Sequence, residues 1–268
     1  MERIGADKGL MRGIVLALAC TILVFLMAPI FVILPVSVTD QRFLSFPQEA
    51  ISFQHFERVM TRPDWQKAIW QSTAIAIGAT MIDVVVGTLC AVGCWRLASR
   101  SSEIVRTLML ATIIIPSIVY ALGVYRFYVD VNLIDSFLGI LLAHAVTGLP
   151  YPIITVSASL AGFDLRLEQA ARILGANLPQ TTWRIIIPNV MPGVISGAIF
   201  AFIHSWDETV LVLFIAGRSA FTLPRRMWDD INENIDPSVA SVAVMLIGVT
   251  LLLLFAEMAL RKRRASRA

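Results

Sequence analysis

Charge is scarce in this chain. Of 268 residues only 15% are charged while 57% are hydrophobic, and the mean hydropathy is +0.75. A soluble domain carries about 25% charged residues, so an ordinary globular domain is excluded and a polytopic membrane protein remains. Lysine is rarer still, confined to Lys8, Lys67 and Lys262. None of them stands in a G-x-x-x-x-G-K-[ST] loop, so the chain has no phosphate cradle with which to hydrolyse ATP itself. H-E-x-x-H is missing, as is any group of histidines and carboxylates at metal-ligand spacing. "GVISG" sets a serine among glycines without being G-x-S-x-G, and His204 with Asp207 would form a dyad lacking a nucleophile. These absences weigh against an intramembrane enzyme, the rival class. The two halves show no internal repeat of the kind many secondary transporters carry.

Cysteine is nearly absent too. Cys20, Cys90 and Cys94 all fall in apolar runs. The C-x3-C spacing puts the last two on one helix face, but no His or further Cys flanks them, and they read as buried structural thiols. A similar reading makes His144 a satisfied buried histidine.

What the chain has in quantity is long apolar runs. A bilayer core of about 30 Å takes about 20 mostly apolar residues in a helix. Six stretches qualify, at about 13–38, 68–95, 105–128, 137–161, 186–216 and 238–259. The runs are continuous rather than alternating, which rules out the strands of a membrane barrel. The fold class is therefore all-α. Charge-free from Gly13 to Thr39, the first run exceeds the apolar core of a secretion signal, about 7–15 residues. No small-x-small cleavage site follows it, so it is expected to stay as a span.

Basic residues near span ends set orientation. With the N-terminus (1–12) in the cytoplasm, the inner side collects 14 of them: Arg3, Lys8, Arg12, Arg96, Arg100, Arg106, Arg166, Arg172, Arg184, Arg261, Lys262, Arg263, Arg264 and Arg267. The outer side collects 8: Arg42, Arg58, Arg62, Lys67, Arg126, Arg218, Arg225 and Arg226. Both termini, including the basic tail 261–268, are thus expected inside. The outer loop "GRSAFTLPRRMWDDINENIDPS" is long enough for a short amphipathic helix. It is either a solvated loop or a docking rim for a soluble partner.

One polar segment interrupts the hydrocarbon on the inner side, residues 162–188. Asp164 is suited to cap a helix from Leu165. Glu168 and Arg172 stand at the spacing of an ion pair, and Ala170, Ile173, Leu174 and Leu178 form one apolar stripe. Gly175 is placed to stop this helix, while Asn177 caps a second one with Pro179 in its first turn. The second helix is expected to end at Pro188, where the fifth span begins. An interfacial helix would want lysines on its polar face. None is present, so a protein-binding segment is the better reading.

"QAARILGANLPQTTWRIIIP" resembles the EAA loop of the membrane subunits of binding-protein-dependent ATP-binding-cassette importers. The pattern E-A-A, three residues, G, nine residues, I-x-L-P falls on Gln169, Ala170, Ala171, Gly175, Ile185, Ile187 and Pro188. Two positions depart from it. Gln169, preceded by Glu168, replaces the usual Glu and so lacks the charge for an ion pair there; Ile187 replaces Leu. "LIDSFLGILLAHAVTGLPYPIITVSASLAGFD", "GAIFAFIHSWDETVLVLFIAG", "TLPRRMWDDI" and "IDPSVASVAVMLI" extend the likeness over about residues 50–260. Those stretches resemble the spermidine/putrescine-type permeases, and within them the second permease subunit.

The resemblance implies a type I importer permease fold in a bacterial plasma (inner) membrane. It implies a sister permease subunit, two ATP-binding-cassette ATPase subunits carrying the ATP and Mg2+, and an external solute-binding protein, with no cofactor on this chain and no nucleic-acid partner. It makes the EAA loop the coupling segment, through Glu168, Gln169, Ala170, Ala171, Gly175, Ile185 and Pro188. The solute it implies is a polyamine, while relatives carry other amines, organophosphonates or iron. A cationic solute turns attention to the acidic residues inside the spans, which are costly there and tend to be functional. Asp207 and Glu208 stand side by side in the fifth, with His204 placed to hydrogen-bond one of them and Trp206 adjacent as an aromatic cradle for an ammonium group. They line the substrate path or knot the helix to its neighbours. Asp83 in the second span is a further path residue or pairs with the sister subunit. Gly193 and Gly197 form a small-xxx-small step for close helix packing.

Overall fold

The computed structural model describes residues 2–217, 220–233 and 236–265, with side chains described from Met11 onward, apart from those of 260, 261 and 263–265. Helices make up its regular structure. They are α1 (Glu2–Ser37), α2 (Gln54–Thr61), α3 (Pro63–Leu97), α4 (Arg100–Leu110), α5 (Ser117–Asp130), α6 (Phe137–Gly148), α7 (Pro150–Ala161), α8 (Leu165–Ile173), α9 (Leu178–Thr181), α10 (Ile187–Asp207), α11 (Val210–Ile215), α12 (Leu223–Glu233) and α13 (Ser238–Ala265). Among the described residues five helices are long and apolar enough to cross a membrane, or six if one bent pair counts as a single span.

The bent pair corrects the expected third span. Instead of one rod over 105–128, α4 with a 3-10 turn (Ala111–Ile113) meets α5 at an angle of 105°. Pro116 is the cause. It has no N–H for the carbonyl a turn earlier, and it disfavours helical backbone at Ile115.

The fifth span is also rebuilt. Expected over 186–216, the apolar helix instead begins at Leu178 and ends at Asp207. The second short helix of the polar segment does not stop at Pro188. α9 passes through a π turn (Thr182–Ile186) straight into α10. Pro188 shapes this turn rather than ending it. Without its N–H the α pattern cannot close on Arg184, and the Ile187 N–H reaches back five residues to the Thr182 carbonyl. The Asn189 side-chain amide donates to the Ile185 carbonyl at 2.7 Å.

The chain divides into two compact units, Met1–Arg62 with Asp230–Gly248 and Pro63–Asp229 with Val249–Ala268. In the first, Ser241 donates to the Ser37 carbonyl at 2.9 Å, and Arg58 pairs with Asp236 at 3.3 Å. Burial would raise the Asp236 carboxyl, but the Ser238 N–H and the Arg58 guanidinium hold it below its usual value of 3.8.

In the second unit α7, α10 and α3 pack closely. A Cβ on Gly193 would lie 2.6 Å from the Thr155 carbonyl, and one on Gly197 would lie 2.6 Å from the Pro152 Cα. The glycine step is therefore a backbone contact between α10 and α7. Ser196 between them donates to Glu257 of α13 at 2.7 Å. An apolar cluster of Ala91, Val92, Val156, Leu160, Ile186 and Val190, flanked by Trp95 and Phe163, ties α3, α7 and the π turn together. Cys90 and Cys94 are half-buried free thiols on α3, and Cys20 is exposed on α1.

In the outer-loop sequence α12 forms as expected, with Arg225 paired to Asp229 at 3.1 Å. Arg218 lies outside the described residues, as does Arg267.

Candidate functional site

The polar segment is assembled from local chemistry. The Asp164 carboxylate accepts the Arg166 N–H at 2.9 Å and starts α8. Gly175 takes φ +87°, a left-handed conformation that a side chain resists, and this ends the helix. Asn177 and Gln180 then cap each other reciprocally, Asn177 Oδ1 accepting the Gln180 N–H and Gln180 Oε1 accepting the Asn177 N–H, both at 2.9 Å.

α8 has no buried residue. Ile173 and Leu174 are 85% and 87% exposed beside the glycine bend. Between the two short helices lies a hollow of about 310 Å³ lined by Ala171, Leu174, Gly175, Gln180, Arg184 and Ile185. Gln169 and Pro188 stand on either side of it in sequence, Pro188 within the first turn of α10.

Glu168 does not pair with Arg172. Its carboxylate turns to Arg96 at the end of α3, at 3.2 Å. Sequence reasoning had no signal for this contact, because the two residues belong to distant helices.

The second candidate group sits where α10 ends. Asp207 closes the helix and is exposed, while Trp206 is buried. Adjacent helical residues point about 100° apart, and these two diverge accordingly. The Trp206 ring stacks on Phe202 with centroids 5.4 Å apart, so it faces the protein rather than a solute beside Asp207. Glu208 has extended backbone and lies between helices, not within a span. Its Oε1 accepts the Leu211 N–H at 3.2 Å and steadies the first turn of α11.

His204 hydrogen-bonds neither carboxylate. Its ring lies against Tyr151, centroids 5.1 Å apart, and its Nε2 is buried without a partner. His144 is only half satisfied: Nδ1 and the Ser205 hydroxyl are 2.8 Å apart, while Nε2 has no partner. Tyr151 and the His144–Ser205 pair are the members of this region that the sequence did not bring forward; the only hint of Tyr151 was its place between Pro150 and Pro152.

Asp83 is fully buried in α3, with no hydrogen bond to either oxygen. It faces Gly148, whose missing side chain leaves the room its carboxyl occupies. The structure thus sets the Tyr151 ring of α7 against the His204 ring of α10, the helix whose end carries Asp207 and Glu208, and buries Asp83 against Gly148. No group of three or more metal-ligating side chains occurs among the described residues.

Bilayer-length helices joined by a capped, glycine-bent polar segment are those of a polytopic membrane subunit, and this fold has solved counterparts. It superposes with a TM-score of 0.73 on a chain from a crystal structure of a bacterial alginate ABC transporter in complex with an alginate pentasaccharide-bound periplasmic protein. That match covers 95% of this chain and 94% of the other at 13% identity, which makes it a likeness of fold. Residues 83–265 match the family described as binding-protein-dependent transport system inner membrane component, and the chain belongs to that family. It is 29% identical to the spermidine/putrescine transport system permease protein PotC of Haemophilus influenzae, over 85% of this chain and 89% of that one. To the putrescine transport system permease protein PotI of Escherichia coli K12 it is 25% identical, over 88% and 85%. The chain is the non-catalytic membrane component of an ABC importer, multi-pass in the inner membrane.

Proposed function

We propose that this permease subunit forms half of the path for a small cationic solute of the polyamine class. In this reading it works with a sister permease, two ATPase chains that hold the ATP and Mg2+, and an external binding protein. The 162–188 segment is the cytoplasmic link to the ATPase, and both termini lie inside. The observation that carries the reading is the helix–glycine–helix segment with Ile173 and Leu174 uncovered. An apolar pair on a capped polar segment is what a protein groove would bury. The PotC and PotI names support a polyamine as solute, and the exposed carboxylate of Asp207 supports a cation. In this reading the paired Tyr151 and His204 rings are the aromatic groups of the path, with Glu208 holding α11.

Purification of the tagged chain from membranes in mild detergent tests the assembly. A P-loop ATPase and a second permease are expected to come with it, and the reconstituted complex is expected to take up putrescine or spermidine only with ATP. A chain that isolates alone, or uptake that runs without ATP, overturns the reading. A complex that imports a neutral sugar and no amine overturns the solute class only.

A further inference from the structure

α8 is an unusual lever, because it packs only lightly, on α9 and the π turn, and Ala171 is only half-buried there. It has no buried residue, and its caps determine where it starts and ends without fixing its rotation. Two contacts to the end of α3 supply that constraint. Arg96, in the last turn of α3, meets Glu168, in the first turn of α8, Nη2 to Oε1 at 3.2 Å. Beside it, Trp95 meets Phe163 edge to face, centroids 5.8 Å apart and planes at 87°. Phe163 immediately precedes the Asp164 cap.

The ion pair is a sheltered charge contact rather than a hydrogen bond. Its side chains are 21% and 13% exposed, so water screens it less than it would a surface pair. The cation lies at the C-terminal end of one helix and the anion at the N-terminal end of the other, each where the helix dipole favours it. Arg96 Nε and Nη2 are buried and make no hydrogen bond among the described residues. No other described acceptor competes with Glu168 for that edge of the guanidinium.

We propose that Arg96 is a positioning residue for the coupling segment. Through Glu168 it sets the rotation of α8 about its axis, so that Ile173 and Leu174 face the partner, and it carries displacement of α8 into α3. Trp95 on Phe163 is the pivot beside it. The proposal rests on the coupling role given to residues 162–188.

The test uses the whole complex of permeases, ATPases and binding protein in liposomes, with putrescine as solute. Arg96→Glu, Glu168→Arg and the exchanged double variant are compared by solute taken up per ATP hydrolysed and by hydrogen exchange of the α8 amides. Each single variant leaves a charge facing its like, and uptake per ATP is expected to fall about tenfold, with faster exchange in α8. The exchange of charges restores both to within about twofold, as a direct pairwise contact requires. Single variants with unchanged uptake per ATP and unchanged exchange overturn the proposal, and so does a double variant that recovers neither. Where Arg96→Glu fails to assemble, Arg96→Gln replaces it, and unchanged exchange in that variant overturns the proposal as well. Gly175→Leu separates the two levels. If it uncouples transport while Arg96→Glu does not, only the positioning role fails. If neither alters coupling, the role of the segment fails with it.

Discussion

The helix that runs from Leu178 to Asp207 ends in two differently built places. At the Leu178 end, the caps and turns join residues two to five apart, Asp164 to Arg166, Asn177 to Gln180 and Ile187 to Thr182, and only the bracing by Trp95 and Arg96 comes from a distant helix. At the Asp207 end the partners arrive from far along the chain, as His144 does to Ser205 across 61 residues and Tyr151 does to His204. A site made of caps and hinges is written in adjacent letters, whereas a site made of packed helices is written in the packing. The difference also separates their tolerance to change. In the proposed function the first end presents backbone geometry to a partner, and the second presents side chains to one another and to a solute.

Gly175→Leu strikes the first end hardest. A Cβ there meets nothing within 4 Å in this chain, so insertion in the membrane is expected to be normal. The φ of +87° is costly for leucine, by about 1–2 kcal/mol, and the added side chain fills the approach to the bend. Uptake is expected to fall to background. Full uptake with solute-stimulated ATP hydrolysis would break the contrast, because the glycine would then be ornamental.

Gly148→Ala probes a contact that only the packing creates. The new methyl group would fall on the Asp83 carboxyl. Overpacking of this kind costs about 1–3 kcal/mol, seen as a lower melting temperature in detergent. Asp83→Ala in the same chain should recover most of the loss, and additive losses would show that the two residues are independent.

Asp207→Asn keeps the shape of the α10 end and removes its charge. A carboxylate about 4 Å from an ammonium contributes about 1 kcal/mol in water, so uptake of a diamine is expected to fall about fivefold, with assembly intact. Unaltered diamine uptake removes Asp207 from the path. Loss of assembly would instead assign this residue to packing.

The smallest effect is expected for Asn177→Ala. It removes one member of a reciprocal cap on an exposed segment, worth about 0.5 kcal/mol at such a site. Circular dichroism and uptake should hardly move. A large loss would mean that Asn177 touches the partner and does more than close a helix.

Sequence and structure agree best where a residue's task is local. The caps at Asp164 and Asn177, the bend at Gly175 and the bilayer-length runs follow from residue chemistry and periodicity, and each appears in the fold. The third span was misread because a sliding apolar window passes over Pro116 without registering the missing N–H. The fifth was misread at both ends. Hydropathy understated its start, since Leu178–Thr182 is polar on one side, and overstated its finish, since Val210–Ile215 is apolar but belongs to a separate helix. Glu168 was assigned the partner nearest in sequence, Arg172, when Arg96 waited at the end of another helix. Trp206 was assigned to Asp207 by adjacency, although neighbours on a helix diverge.

The π turn at Thr182–Ile186 bears on any attempt to swap parts of this protein. Each residue of a helix turns its successor by about 100°, and a wide turn slips that phase by most of a residue. The bearing of the apolar pair before Gly175, relative to the face that α10 shows its neighbours, is therefore kept by a count, the number of residues between the glycine and Pro188. A graft that preserves every side chain yet adds or drops one position in that interval would point the segment about a quarter-turn away from its target. For this stretch, length is the stricter specification, and composition the looser one.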